Sequence, residues 1–173
     1  MINLLIDTNI LMYYFVSNAR DRIYAYFTSA GRVFVTEQCL AEFQKRIKIN
    51  HHTLASVQFS REIITSPLFS ILPSHLVKAE EVLDVVCKYS MLRSECSKNK
   101  RNRDLSYTDS EQILFAKYLG LIIASNDSYV RNCANSEGVL SYSPVTDLNL
   151  NIVVKNEFKP HPENISFFSN DLF

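Results

Sequence analysis

The fold of this chain is decided by the stretch INLLIDTNIL, residues 2–11, near the start of its 173 residues. Residues 2–6 are almost continuously apolar, as in a strand that is buried on both faces of a parallel sheet. Three polar residues, Asp7, Thr8 and Asn9, follow at once. An aspartate at the tip of a buried strand has two explanations. It caps the next helix, or it belongs to a site at the edge of the sheet.

Beyond this stretch, apolar strands alternate with helical segments. Strands are predicted at 2–6, 32–36, 121–125 and 139–143, and helices at 9–16, 21–31, 37–49, 53–65, 76–95, 107–120 and 126–135. The alternation predicts an α/β fold in three layers, with a central parallel sheet of about four or five strands flanked by helices. We expect one domain over 1–148, with a helical insert at about 53–106, and a C-terminal extension over 149–173.

The composition is that of an ordinary globular domain, with 47% hydrophobic and 21% charged residues. Because 18 basic residues balance 18 acidic ones, bulk charge alone would not hold the chain to nucleic acid. Four widely spaced cysteines without a C-x-x-C pair favour a reducing compartment over a disulfide framework. Three glycines in the whole chain exclude Gly-rich phosphate loops. With no signal peptide and no apolar run of about 18 residues, we expect a cytoplasmic protein without membrane contact.

Four acidic residues fall where a parallel sheet would bring them to one edge. Asp7 and Asp127 each follow a predicted strand, and Asp109 lies in the first turn of the helix that precedes the later of these strands. Glu42 lies less than two turns into the helix that follows the strand at 32–36. Ligands of such folds bind outside the carboxyl ends of the strands, so the four carboxylates are predicted to share one region.

Each acid also has an ordinary explanation. Asp7 and Asp127 would serve as helix N-caps, Asp109 would be favoured by the helix dipole, and Glu42 would be a solvated helix residue. Together, however, ionised carboxylates at one edge repel one another, and a cation would compensate them. Because all the ligands are oxygens, Mg²⁺ or Mn²⁺ fits better than zinc. Such an ion activates water and stabilises charge on a phosphodiester, which points to phosphodiester hydrolysis.

The segments LLIDTNIL, VTEQCLAEF, YTDSEQILFAKYLG and LIIASNDSYV, taken in order, resemble the PIN-domain nucleases over residues 1–148. The resemblance implies a PIN-like fold and an Mg²⁺- or Mn²⁺-dependent ribonuclease. It makes Asp7, Glu42, Asp109 and Asp127 the acidic cluster, with Asn9 and Ser125 as nearby polar support. Asp7, Asp109 and Asp127 would hold the ion, and Glu42 would be a further ligand or orient the attacking water.

In size and layout the chain is most similar to the toxin ribonucleases of bacterial toxin–antitoxin pairs. That resemblance implies an RNA substrate, an antitoxin protein as partner, and a homodimer as found among relatives. Two features depart from the pattern. The chain is longer than the usual small toxin, and its last acidic motif reads Ser-Asn-Asp where threonine is more usual in the first place. The serine keeps the hydroxyl group, so the second departure is minor.

The segment KNKRNR, residues 98–103, places four cations shortly before Asp109: Lys98, Lys100, Arg101 and Arg103. Such a run is either a solvated loop or a surface that holds RNA phosphates beside the site. Both explanations stay open.

Helix starts are also predicted from capping residues. Thr108 and Glu111 have the spacing of a capping box, which favours Glu111 as a capping residue over the alternative of a fifth ligand. Ser74 is placed near the N-cap of the helix at 76–95.

Two other functions remain open from the residues alone. The first is a catalytically inactive PIN-like module that binds RNA or a protein partner. The second is an unrelated α/β phosphohydrolase acting on small phosphate esters, although the chain lacks a DxD-type pair after its first strand.

Overall fold

The computed structural model describes residues 2–50, 53–96 and 105–150. Its centre is a five-stranded sheet of β1 (Asn3–Ile6), β2 (Arg32–Thr36), β3 (Phe69–Leu72), β4 (Ile122–Ala124) and β5 (Ser141–Tyr142). All neighbours pair in parallel, in the order β3-β2-β1-β4-β5. The predicted parallel α/β sheet is therefore confirmed.

The apolar run that opens the chain forms the middle strand of this sheet. β1 pairs with β2 on one side and with β4 on the other, and Leu4, Leu5 and Ile6 are fully buried. A strand covered on both faces needs apolar side chains at every position, which explains why this run does not alternate. Strand order reverses between β1 and β4, so a crevice opens at the carboxyl ends of these two strands.

Eight α-helices connect and cover the strands of the described chain. They are α1 (Thr8–Val16), α2 (Arg20–Ser29), α3 (Glu37–Asn50), α4 (Thr53–Thr65), α5 (Ala79–Cys96), α6 (Tyr107–Leu119), α7 (Ser128–Ser136) and α8 (Pro144–Asp147). None of the helices in these ranges is long and apolar enough to cross a bilayer.

Two hydrophobic cores lie on opposite faces of the sheet. On one face α1 to α4 pack around aromatic residues such as Phe27, Phe43 and Phe59. On the other face α5, α6 and α7 pack around residues such as Tyr89 and Phe115. Helix α3 therefore belongs to one outer layer and helix α6 to the other, and the two layers can meet only over the edges of the sheet.

The structure adds one strand that the sequence pattern did not predict. β3 lies between Pro67 and Pro73, and its four residues are too few for a clear period-2 pattern. It forms because all four pair with β2 at the edge of the sheet.

The following helix also begins later than predicted. The placement of Ser74 near its N-cap is wrong: Ser74 opens a 3₁₀ turn ending at Leu76, and α5 begins at Ala79. The short helix α8 is a further element that was not predicted.

Two predictions fall outside the described residues. The basic segment 98–103 lies outside them, as does all of the C-terminal extension after Leu150. The domain boundaries therefore stay a prediction. Within the segment 53–106, α4 contributes Phe59 and Ile63 to one core, and α5 contributes Val82 and Val85 to the other.

Candidate metal centre

The paired strands β1 and β4 place two of the predicted acids at the same edge of the sheet. Asp7 directly follows β1, and its backbone N–H donates to the Ala124 carbonyl at the end of β4, at 3.0 Å. Asp127 stands three residues beyond Ala124, at the N-terminus of α7. The apolar strands therefore bring both residues to the same edge because each strand ends there.

Asp7 is an almost completely buried carboxylate, with 4% of its surface exposed. Its Oδ2 accepts hydrogen bonds from Ser125 Oγ at 2.6 Å and from Asn9 Nδ2 at 2.5 Å. Burial, followed by the negative charge of Asp109 and more weakly that of Glu42, raises the pKa of Asp7 from 3.8 to about 6. The Ser125 hydrogen bond opposes this rise. Asp7 is therefore held in place by donors while its charge is disfavoured.

Asp127 is the N-cap of α7, as its position suggested. Its Oδ1 accepts from the Tyr129 backbone N–H at 2.9 Å. Its own backbone N–H donates to Ser125 Oγ at 3.0 Å. Ser125 therefore contacts both strand-end acids: it donates to the Asp7 side chain and accepts from the Asp127 backbone.

Asp109 takes part in the capping box that was predicted two residues further along. Ser106 is the N-cap of α6, and its hydroxyl accepts from the Asp109 N–H at 3.1 Å. The Asp109 Oδ2 atom accepts from Ser106 Oγ at 2.7 Å. The prediction of a Thr108–Glu111 capping box is wrong, because the helix already begins at Tyr107. Asp109 is buried at this position and close enough to raise the pKa of Asp7.

Glu42 reaches the site from the opposite helical layer. Thr8 Oγ1 donates to Glu42 Oε2 at 3.0 Å, which ties α3 to the start of α1. The other carboxylate oxygen pairs with Arg46, one turn further along α3. Glu42 is therefore not the solvated residue of the ordinary explanation, although its negative charge already has a cationic partner.

The pKa shifts of two buried thiols show which of the four acids lie near one another. The pKa of Cys39 is raised by burial and then by the charges of Asp7, Glu42 and Asp109. The pKa of Cys133 is also raised, first by burial, and both Asp109 and Asp127 contribute. The charge of Asp109 thus acts on both thiols, one of which also senses Asp7 and Glu42 and the other Asp127.

The surrounding contacts include residues that the sequence did not single out. Asn126 donates its backbone N–H to Asn9 Oδ1 at 3.0 Å and its side-chain amide to the Tyr13 hydroxyl at 3.2 Å. Ser143 Oγ donates to Asn126 Oδ1 at 3.0 Å. Asn126 lies between Ser125 and Asp127, but no spacing rule links it to Tyr13 or Ser143. Only the tertiary fold joins these segments.

Glu111 differs most from its expected role. It is fully buried, and neither carboxylate oxygen has a hydrogen-bond partner among the described residues. Burial raises the pKa of Glu111, while the nearby hydroxyls of Ser74 and Thr36 lower it.

The donors at this edge fit a hard divalent cation in their chemistry. They are carboxylate and hydroxyl oxygens, which Mg²⁺ and Mn²⁺ prefer. A bound cation would also lower the pKa of Asp7, because its positive charge favours the ionised carboxylate. Within the ranges described, no group of three acidic, histidine or cysteine side chains lies close enough together to coordinate one metal ion directly. The fit is therefore to an ion that keeps several waters and takes only one or two carboxylates directly.

Comparisons with known proteins give one family. The family model of the PIN domain matches residues 4–135. No curated protein matches the chain.

Several solved structures share the fold at low sequence identity. VapC20 of Mycobacterium tuberculosis, a sarcin–ricin loop cleaving toxin, superposes with a TM-score of 0.54 at 12% identity, covering 79% of this chain and 96% of its own. FitAcB from Neisseria gonorrhoeae gives 0.57 at 19% identity, covering 82% and 97%. VapBC2 from Rickettsia felis, bound to a DNA fragment from its promoter, gives 0.56 at 14% identity, covering 82% and 98%.

Proposed function

Because this chain belongs to the PIN domain family, we propose that it is a divalent-metal-dependent ribonuclease that hydrolyses RNA phosphodiester bonds. The observation that carries the proposal is the state of Asp7. A carboxylate whose pKa is raised by burial and further by other carboxylates is costly to keep ionised unless something compensates its charge. A bound Mg²⁺ or Mn²⁺ ion is that compensation.

In this proposal Asp7, Asp109 and Asp127 hold the ion, directly or through its waters. When bound, the ion lowers the pKa of water and stabilises the charge that builds on the phosphate. Glu42 is a further ligand or orients the attacking water. Ser125 and Asn9 fix Asp7 through their hydrogen bonds, so that the carboxylate does not turn away from its neighbours.

The direct test is the Asp7→Asn variant, which removes one charge and almost no volume. We expect it to lose cleavage of RNA in Mn²⁺ and to lose Mn²⁺ binding in a titration. The matched control is Asp84→Asn on α5, an exposed aspartate, which should behave as the unaltered protein does. Cleavage by Asp7→Asn at the wild-type rate, in protein free of contaminating nuclease, would remove Asp7 from the site.

The main competing function is a PIN-like module that binds RNA or a protein without cutting. Such a module would bind RNA equally well in EDTA and would show no Mn²⁺ site. The presence of all four acids favours the nuclease. Hydrolysis of a generic small phosphate ester, without cleavage of RNA, would instead support the α/β phosphohydrolase.

The toxin role is a finer proposal within the nuclease function. It rests on the fold shared with VapC20, described as a sarcin–ricin loop cleaving toxin, and with VapBC2. In this role the protein acts in the cytoplasm, a small antitoxin protein binds it, and it forms a homodimer as its relatives by resemblance do. Induced expression should arrest growth, whereas expression of Asp7→Asn should not. Normal growth with active protein present would refute the toxin role alone.

We also propose that the basic segment contacts the RNA substrate. Lys98, Lys100, Arg101 and Arg103 come shortly before Asp109 in the chain and would bind phosphates. Replacing all four by glutamine should weaken RNA binding and flatten its salt dependence. An unchanged salt dependence would show that the segment is a solvated loop that does not contact the RNA.

A further inference from the structure

The first two turns of α6 bury an unusual amount of unpaired polar surface. Ser110, Glu111 and Gln112 are fully buried. Their side-chain oxygen and nitrogen atoms have no hydrogen-bond partner in the described part of the chain. Buried polar groups are nearly always paired in folded proteins, so this cluster needs an explanation. Glu111 needs it most, because an ionised group is the costliest to bury.

The surroundings of Glu111 show what it faces. The hydroxyls of Thr36 and Ser74 lie near its carboxyl without completing a hydrogen bond, the Ser74 oxygen is itself buried and unpaired, and Glu37 lies near. Thr36 ends β2, and its Oγ1 accepts from the Cys39 N–H at 3.1 Å, so Thr36 caps α3. The Ser74 N–H donates to Glu37 Oε2 at 2.8 Å. Glu111 therefore projects from α6 onto the point where β2 ends, α3 begins and the turn after β3 passes.

The helix dipole decides which charge suits this point. The N-terminus of α3 carries a partial positive charge and favours an anion, whereas a cation there is disfavoured. The Thr36 and Ser74 hydroxyls can both donate to a carboxylate. Glu111 is therefore suited to bind the start of α3 itself rather than to hold a second metal ion between itself and Glu37.

The position matters because it joins the two helical layers. Helix α6 packs on one face of the sheet and α3 on the other. Asp109 lies two residues before Glu111 on α6, and Glu42 lies on α3. A contact between Glu111 and the start of α3 thus fixes the spacing of two acids that come from opposite layers.

We infer that Glu111 is a positioning residue that holds α6 against the start of α3 and thereby sets the separation of Asp109 from Glu42. This inference rests on the proposed nuclease function. Loss of a group that positions metal ligands typically weakens metal binding by about 10–100-fold. The groups that act on the Glu111 carboxyl lie at the start of α3 and in the turn after β3, so Glu111 would affect the metal site indirectly, through the position of α6.

The experiment is an Mn²⁺ titration of the full chain, with thermal unfolding in EDTA and RNA cleavage measured on the same samples. For Glu111→Gln we expect about a tenfold rise in the Mn²⁺ dissociation constant at unchanged stoichiometry. Ser74→Ala, which removes one buried hydroxyl, should raise it in the same direction by about threefold. The control is Glu137→Gln, an acid at the C-terminal end of α7 that pairs with Lys88 and Lys117. It should lower the melting temperature and leave Mn²⁺ affinity unchanged.

A double-mutant cycle separates positioning from general stability. If Glu111 acts through the spacing of the acids, Glu111→Gln should have a smaller effect on Mn²⁺ affinity in a Glu42→Gln background than in the wild type. Additive effects, or wild-type Mn²⁺ affinity in both Glu111→Gln and Ser74→Ala, would overturn the inference. Loss of a second bound Mn²⁺ in Glu111→Gln would overturn it too, because Glu111 would then be a ligand. Failure of the wild type itself to bind Mn²⁺ and cut RNA would instead refute the proposed function, and this inference with it.

Discussion

Replacing Asp7 by asparagine should make the metal-free protein more stable at pH 8 while removing its activity. Asp7 is 4% exposed, and burial and neighbouring carboxylates raise its pKa from 3.8 to about 6. In the native state without metal, the charged form is therefore disfavoured. Asparagine has nearly the same shape and carries no charge, so it removes this cost.

The size of the effect follows from the pKa shift. One pKa unit corresponds to about 1.4 kcal/mol, so ionising Asp7 costs about 3 kcal/mol at pH 8 and about 1 kcal/mol at pH 4.5. Asparagine has one accepting oxygen, which can keep the bonds that Ser125 and Asn9 both donate to Oδ2; we expect it to lose the further bond from the Thr8 backbone, worth about 1 kcal/mol. The variant should be about 2 kcal/mol more stable than the wild type at pH 8 and about equally stable at pH 4.5.

The sign of the pH dependence is fixed by proton binding. Between pH 3.8 and about 6 the native state binds more protons at Asp7 than the unfolded state does, because its pKa is the higher one. The contribution of Asp7 to the free energy of unfolding of the wild type therefore falls as the pH rises through that window. Asp7→Asn should lack this fall.

The assay is urea unfolding of both proteins in EDTA at the two pH values, repeated with Mn²⁺. Mn²⁺ should stabilise the wild type at pH 8 and leave Asp7→Asn unchanged, since only the wild type binds the ion. A variant destabilised to the same extent at both pH values would refute the reasoning, because the Asp7 charge would then carry no penalty.

Three further variants test the contacts around the site. Ser125→Ala removes the donor to Asp7 and the acceptor for the Asp127 N–H; unfolding should become easier by about 2 kcal/mol, and initial rates of RNA cleavage should fall about 10–100-fold. Asn126→Ala loses both side-chain hydrogen bonds of Asn126, and urea unfolding should show a loss of about 1–2 kcal/mol together with weaker Mn²⁺ binding. Glu137, whose pKa is lowered to about 2 chiefly by Lys88, contributes stability that is present above pH 4.5 and lost as the pH falls toward 2; thermal melts of Glu137→Gln should show no such contribution.

Local patterns in the sequence predicted most elements closely. Strand 32–36 and helix 53–65 were predicted at their observed bounds, and Gly120, at φ 63°, ends α6 in the left-handed conformation that glycine adopts readily. The elements that were missed are short. β3 has four residues and exists because it pairs with β2, which is a property of the partner strand rather than of its own sequence.

The start of α6 shows where local rules stop. Both Ser106–Asp109 and Thr108–Glu111 have capping-box spacing, and the sequence alone does not choose between them. In the folded chain Ser106 is the N-cap of α6, and the Glu111 side chain is buried in the interior. A shift of two residues thus changes one acid from a capping group into a buried one.

The sequence by itself determined the longer strands and helices and placed Asp7 and Asp127 directly after buried strands, because periodicity and capping act over a few residues. The tertiary structure alone decided which side chains surround these acids. Ser125 is 118 residues from Asp7, and Thr8 is 34 residues from Glu42, yet each pair forms a hydrogen bond. Burial and the charges of distant groups set the pKa of Asp7, and both depend on which elements pack together. The stretch INLLIDTNIL places Asp7 at the end of the central strand, and the packing of distant elements sets the free-energy cost of ionising it.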